Sequence, residues 1–273
     1  MSPPHFDGED VTDTQSFFID GEAYERLMGR FTRAAGDVFI DWLSPQKGVD
    51  WIDVGCGTGA FTELVLACCA PGRVSAVDPS AEQIAYARKT LAAARVDFQI
   101  GDAQSLPFGD GAFDVSVMAL VITFVPDPNK AVVELKRVTK PGGVVATYMW
   151  DFFNNGFPQH PLREALEKRG IKVPYLPGHA HSRMDNMAGY FKSARLEAVA
   201  TSIIEVDVVY ANFDVYWSEQ TALPNYIVQH INKMPVADLE RFKSDLRATI
   251  PKDKSGRIAY KARANAVKGR VPR

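Results

Sequence analysis

The sequence predicts an α/β protein in which a mostly parallel sheet is wound with helices on both faces. Three observations predict it. From Val49 onward, short β-rich runs alternate with stretches of helical periodicity, which implies parallel strands joined by right-handed crossovers. A bare glycine turn, Gly55-Cys56-Gly57-Thr58-Gly59, ends the first run and opens the first helical stretch, at the strand end where open parallel sheets hold their ligands. Pro141-Gly142-Gly143 then stops a helix ahead of another apolar run.

In chain order, Phe17 to Leu43 comes first. Phe18, Tyr24, Leu27, Met28, Phe31, Val38, Phe39, Trp42 and Leu43 recur there at mostly helical spacing, so a helical arm is predicted, broken near Gly29 and Gly36. Strands are predicted over Val49–Val54, Val74–Val77, Val96–Ile100, Phe113–Met118 and Val144–Trp150, with helices over Thr58–Ala70, Ala81–Ala94 and Asn129–Thr139. Beyond Trp150 the rhythm changes. Asp151 to His181 is rich in Gly, Pro, His and aromatic residues and reads as an insertion above the sheet. Met184–Ala194 predicts a helix, Leu196–Val209 a long strand, Phe213–Thr249 helix with breaks at Pro224 and Pro235, and Ile258–Val267 a final strand.

Composition narrows the function classes. With 31 basic against 33 acidic residues in 273, the net charge of -2 provides no global field to gather nucleic acid or an anionic membrane. The tail from Lys252 to Arg273 is locally basic but carries a strand pattern. No run approaches a membrane span, and the polar start MSPPHFDGED lacks signal-peptide architecture, so a cytoplasmic protein is expected. Cys56, Cys68 and Cys69 give neither a disulfide framework nor zinc spacing.

The glycine turn alone fits several nucleoside ligands, including a dinucleotide, because Ala60 completes the loose pattern G-x-G-x-x-[GA]. Neighbouring carboxylates discriminate. Asp53, two residues before Gly55, would repel a pyrophosphate but suits a ligand bearing ammonium and sulfonium charges, although it is also readable as a residue that caps or orients the glycine turn. Asp78, followed by Pro79 at the end of the second strand, has the paired acceptor oxygens that two ribose hydroxyls need, although Asp and Ser also cap helices. Asp102 with Ala103 follows the third strand, where a carboxylate accepts from an adenine amine and a backbone N–H donates; the same Asp also suits a turn. No G-x-x-x-x-G-K-[ST] cradle for a triphosphate occurs.

IDVGCGTGAF, AVDPS, the pair GDAQSLPF and FDV, and VTKPGGVV together resemble the class I S-adenosylmethionine-dependent methyltransferases, in particular the group that includes the ubiquinone and menaquinone methyltransferases. The resemblance implies a Rossmann-like seven-stranded sheet of order 3-2-1-4-5-7-6 with strand 7 antiparallel, and S-adenosyl-L-methionine as cofactor. It implies one methyltransferase domain over residues 1–273: an arm at 17–43, a cofactor-binding core at 44–150, cap insertions at 151–181 and 213–250, and a final strand at 258–268. YERLMGRF looks like the family's N-terminal segment, which makes Tyr24 and Arg30 residues for the methionyl carboxylate, Arg30 being also readable as a solvated helix charge. Gly55, Cys56, Gly57 and Gly59 become the cofactor turn, and Ala119 and Leu120 the positions beside the methionine portion.

Displacement at a sulfonium chiefly requires a held nucleophile and excluded water. Many members place a histidine after the fourth strand, whereas this chain reads Val121-Ile122-Thr123-Phe124. His179 is therefore the candidate base, since an imidazole titrates near the working pH. Phe124, Trp150, Phe153, Tyr175 and Trp217 are candidate contacts for a flat, largely apolar acceptor, with packing in the cap as the competing reading. His179 and His181 lack a nearby third metal ligand, and no metal is expected. Two other functions remain open at this point: a nicotinamide-dependent oxidoreductase and a non-catalytic S-adenosyl-ligand-binding protein.

Overall fold

A computed structural model describes residues 29–222 and 225–273. Tyr24, the arm before Gly29 and the break expected at Pro224 lie outside the described residues. Helix α1 (Arg30–Leu43) leads into β1 (Asp50–Val54), α2 (Ala60–Cys68), β2 (Arg73–Asp78), α3 (Ala81–Thr90), β3 (Val96–Ile100) and β4 (Phe113–Ala119). A 3-10 turn at Ile122–Phe124 precedes α4 (Pro128–Val138) and β5 (Thr139–Trp150). Then come α5 (His160–Lys168), a 3-10 turn at His179–Ser182, α6 (Met184–Ser193), β6 (Glu197–Tyr210), α7 (Phe213–Gln220), α8 (Tyr226–Asn232), α9 (Val236–Thr249) and β7 (Ile258–Arg270).

The strands form a seven-stranded sheet of order β3-β2-β1-β4-β5-β7-β6. β1 to β5 pair in parallel, and β7 runs antiparallel to both β5 and β6. This is the order that the family resemblance implies. The central strands are buried on both faces, as helix-covered parallel strands must be: Ile52, Val54, Val77, Val117, Val145 and Ala146 are nearly inaccessible.

The Pro-Gly-Gly break is built differently from the expectation. β5 already begins at Thr139, pairs there with Phe113, and resumes regular register at Val115 and Val144. Pro141-Gly142-Gly143 is thus an irregularity inside the strand. A methyl group at Gly143 would come within 2.8 Å of the Asp114 carbonyl oxygen, so only glycine fits there.

Gly36 also has another role than the predicted break. α1 runs unbroken through it, and a methyl group on Gly36 would meet Leu64 of α2 at 2.5 Å. Glycine lets the two helices touch closely rather than bend. Phe31, Ala35, Phe39, Ile40 and Leu43 form the buried stripe of α1, and Phe39 packs on Tyr148 of β5 with ring centroids 4.6 Å apart.

The insertion after β5 contains a helix that the sequence reading did not resolve. Pro161 in the first turn and buried Leu162 and Leu166 make α5, which packs in the cap near α9. In the later cap, Asn212 and Asn225 accept from the N–H groups of Val215 and Val228 and so start α7 and α8. Pro235 stands immediately before α9, as expected of a helix boundary. The basic tail becomes β7, and Lys261 pairs across the sheet with Asp207 at 2.8 Å. Among the described residues, no helix is long and apolar enough to cross a membrane.

Candidate functional site

The site begins where β1 ends. Gly55, Gly57 and Gly59 adopt φ of +76°, +53° and +91°, backbone angles that L side chains avoid. Gly55 is bare for a second reason: a methyl group there would lie 2.4 Å from a Val121 methyl, so the turns after β1 and β4 pack directly together. At Gly57, by contrast, a methyl group would meet only Gln83 Oε1 at 3.8 Å. The turn is closed by the Gly55 and Cys56 N–H groups donating to the Val77 carbonyl. Cys56 is buried and its thiol pKa lies well above the ordinary value, chiefly through burial, so it packs rather than reacts.

Asp53 is buried on β1. Thr62 Oγ1, in the first turn of α2, donates to its Oδ2 at 2.6 Å, while Oδ1 is buried without a hydrogen-bond partner. Burial raises this carboxyl to a pKa of about 7, against the pull of the Thr62 hydrogen bond and with a contribution from the negative charge of Asp78. A buried carboxylate oxygen without a donor, two residues before the glycine turn, is a polar group whose partner the fold itself does not supply.

Asp78 is fixed by the turn itself. The Gly57 N–H donates to Oδ2 and the Ser80 N–H to Oδ1, both at 2.9 Å. Each oxygen retains a lone pair for a hydroxyl. Burial raises its pKa although both backbone donors oppose the shift. Ser80, not Asp78, is the side chain that caps α3, accepting from the Gln83 N–H at 3.2 Å. Pro79 therefore links a carboxylate of the turn to the cap of the next helix. Asp102 accepts from the Gln104 N–H at 2.8 Å and belongs to an exposed turn closed by Ser105, with Ala103 half-buried beside it. The three carboxylates thus stand at the ends of adjacent strands β1, β2 and β3.

After β4, Leu120 has a left-handed backbone with φ of +62°, and its N–H donates to the Tyr148 carbonyl at 2.9 Å. Such a conformation costs a non-glycine residue about 1–3 kcal/mol. It turns the chain past buried Ala119 so that Val121 reaches Gly55. The next contact extends the site into the cap. Gly178 lies so close to Thr123 that a methyl group on it would stand 1.9 Å from the Thr123 carbonyl oxygen. Two close approaches therefore join the glycine turn, the Val121–Thr123 segment and the segment carrying His179.

Beside Gly178, Phe153, Tyr175 and His179 present near-parallel rings, with centroid separations of 4.8, 5.2 and 6.4 Å. Asp151, buried at the end of β5, accepts from the N–H groups of Phe153 and Asn154 and so shapes the loop that carries Phe153. His179 Nδ1 lies 2.9 Å from the Leu176 carbonyl oxygen. A carbonyl only accepts, so Nδ1 carries the proton and Nε2 is the acceptor of the neutral ring. Phe153 and Phe124 are both exposed, at 39% and 41%, and give this region an apolar surface.

Other expected site residues are placed elsewhere. Arg30 is committed to the cap: it pairs with Glu219 Oε2 at 2.9 Å, donates to the Val209 carbonyl at 3.2 Å, and lies over the Tyr210 ring at 4.2 Å. Its fork is thus occupied where a carboxylate contact was expected, because α1 packs against β6 near α7. Trp150 is buried in the core, with its indole N–H unpartnered. Trp217 is half-buried between Phe213 and Phe242 and under Lys243, as a packing residue of α7 and α9. His181 pairs with the Tyr190 hydroxyl at 2.7 Å. No group of three or more His, Cys, Asp or Glu side chains among the described residues could hold a metal ion. Thr62, Arg163 and Arg183 were missed by the sequence reading; Thr62 and Arg163 bond to residues nine to eleven positions away across a turn, a spacing that no motif marks.

Comparison with known proteins agrees with this geometry. Residues 52–147 match the family model described as a methyltransferase domain. The malonyl-[acyl-carrier protein] O-methyltransferase of Pectobacterium atrosepticum is 34% identical over 132 residues, which cover 48% of this chain and 50% of that protein. The ubiquinone/menaquinone biosynthesis C-methyltransferase UbiE of Roseobacter denitrificans is 34% identical over 111 residues, covering 39% and 44% respectively. The chain spans about half the length of the curated relatives it matches. The crystal structure of YcgJ from Bacillus subtilis superposes with a TM-score of 0.58 at 20% identity, covering 88% of this chain and 98% of that one, and shares the fold. The matched segment runs from β1 to β5 and contains the glycine turn with all three strand-end carboxylates, so this part of the chain is similar to a methyltransferase domain.

Proposed function

We propose that the protein transfers a methyl group from S-adenosylmethionine to a small, flat organic acceptor held beside the turn after β4. The observation that carries the reading is the buried, unpartnered Oδ1 of Asp53 under the glycine turn, which suits the ammonium of the cofactor and opposes a dinucleotide pyrophosphate. Asp78 would take the ribose hydroxyls, Asp102 and Ala103 the adenine, and Ala119 and Leu120 the methionine portion. When bound, the sulfonium supplies a methyl group that is already activated for in-line displacement.

The chain's own contribution is placement and proton handling. Phe124, Phe153 and Tyr175 offer apolar area to one side of the acceptor and keep water from it. His179 Nε2 accepts the proton that an acceptor hydroxyl or amine releases, while Leu176 holds the ring in the required tautomer. The free thiols of Cys56, Cys68 and Cys69 suit the reducing cytoplasm.

The test is methyl transfer itself. Incubation with methyl-labelled S-adenosylmethionine and a panel of small phenols and aromatic amines is expected to move label into at least one acceptor, with turnover lost in His179→Ala. Tight S-adenosylhomocysteine binding with no label transferred to any acceptor would favour the non-catalytic reading instead.

A further inference from the structure

Two arginines flank the ring cluster of Phe153, Tyr175 and His179, and they are used in opposite ways. Arg163 is buried on α5, with its guanidinium carbon 3.8 Å from the Tyr175 ring centroid. It donates to the carbonyls of Val173 at 2.6 Å and Pro174 at 2.8 Å, so its fork is consumed in holding the loop that carries Tyr175. Arg183 is exposed, just before α6, with its guanidinium carbon 4.5 Å from the Phe153 ring centroid. Among the described residues it has no side-chain hydrogen bond and no carboxylate partner. A guanidinium held over an aromatic ring keeps its N–H groups available to a second partner. Phe153 thereby fixes a charged fork at the rim of an exposed apolar surface.

We propose that Arg183 is a specificity-determining residue that selects acceptors bearing an anionic group on a flat ring system, an aromatic carboxylate being the matching class. The inference rests on the acceptor site assigned above. Arg163 builds the loop, Phe153 and Tyr175 take the ring, and Arg183 takes the charge as a planar two-pronged donor. A solvent-exposed arginine already held over an aromatic ring loses less conformational freedom on meeting a carboxylate than an unsupported one, which makes the pairing selective. Arg163 cannot substitute, because its side chain is buried, Nη1 and Nη2 donate to backbone carbonyls, and Glu167 already pairs with it.

The test uses the full chain saturated with S-adenosylhomocysteine and measures binding of hydroxybenzoates and hydroxynaphthoates against their neutral amides. The carboxylates are expected to bind at least about tenfold tighter than the amides. Arg183→Leu, which keeps an apolar contact on Phe153, is expected to erase the preference, and Arg183→Lys to retain part of it. S-adenosylhomocysteine affinity serves as the folding control and should be the same in all three proteins. Equal binding of acids and amides by the wild type, a preference that survives in Arg183→Leu, or no binding of any acid overturns the inference. Absence of S-adenosylhomocysteine binding would instead remove the methyltransferase reading on which it rests, so the two failures are distinguishable.

Discussion

Replacing Asp53 by Asn should change how stability depends on pH, and the structure sets the size of the change. The carboxyl titrates at about 7 in the folded protein against 3.8 ordinarily. Below pH 3.8 it is protonated folded or unfolded, so its burial carries no charge penalty. As pH rises from there to about 7 the unfolded chain ionises first, and the folded state loses about 1.4 kcal/mol per unit. The full loss is about 4 kcal/mol, reached above the folded pKa. Asn cannot ionise and escapes it, although its amide N–H groups then need a partner where Oδ1 has none, which lowers the gain. Urea unfolding of both proteins at pH 5, 6, 7 and 8 isolates this group, because other carboxylates cancel in the difference. Asp53→Asn should gain on the wild type as pH rises to about 7 and then run parallel to it. Parallel curves throughout would refute the buried, proton-holding Asp53. Ligand binding should reverse the preference: an ammonium favours the ionised carboxylate, so S-adenosylhomocysteine affinity should fall below pH 7 in the wild type and stay flatter in Asp53→Asn.

Three further outcomes follow from the same geometry. Asp78→Ala removes acceptors for two hydroxyls and for the Gly57 and Ser80 N–H groups, so calorimetry should show an affinity for S-adenosylhomocysteine lower by at least about a hundredfold; unchanged affinity would leave Asp78 as a turn residue only. Gly178→Ala forces the loop off Thr123 and moves His179, which should lower kcat by roughly a hundredfold while cofactor affinity stays within about twofold; parallel losses in both would place the loop against the cofactor instead. Arg30→Ala breaks a partly exposed ion pair with Glu219, so urea unfolding should show a loss of no more than about 1 kcal/mol, and S-adenosylhomocysteine and adenosine affinities should move together; a selective loss for the ligand with the carboxylate would restore Arg30 to the cofactor.

What the sequence made legible was whatever is encoded within a few residues. Alternating β-rich and helical runs placed β1 to β4 within one residue of their observed bounds but missed the start of β5 at Thr139 by five, and the family resemblance supplied the position of β7 between β5 and β6. Asp53 and Asp78 could be singled out because their spacing to Gly55 and Pro79 is local. Arg30 could not be placed, since its partner Glu219 lies 189 residues away and only the packing of α1 on β6 brings them together. Gly36 looked like a helix breaker because periodicity cannot distinguish a bend from a close helix contact. Trp150 and Trp217 carry the aromatic character of an acceptor wall, but burial decides between wall and core, and burial is a property of the folded sheet. Helix α5 escaped notice because its strong signals are few, Pro161 with Leu162 and Leu166, amid residues typical of loops.

The most direct test of the central claim, that the turn after β1 with Asp53 and Asp78 is built for an S-adenosyl ligand, is a calorimetric titration of the full chain with S-adenosylhomocysteine and, separately, with NAD. Micromolar binding of S-adenosylhomocysteine, about -7 to -8 kcal/mol, with no measurable heat from NAD is the predicted result. Tight binding of NAD without binding of S-adenosylhomocysteine would contradict it.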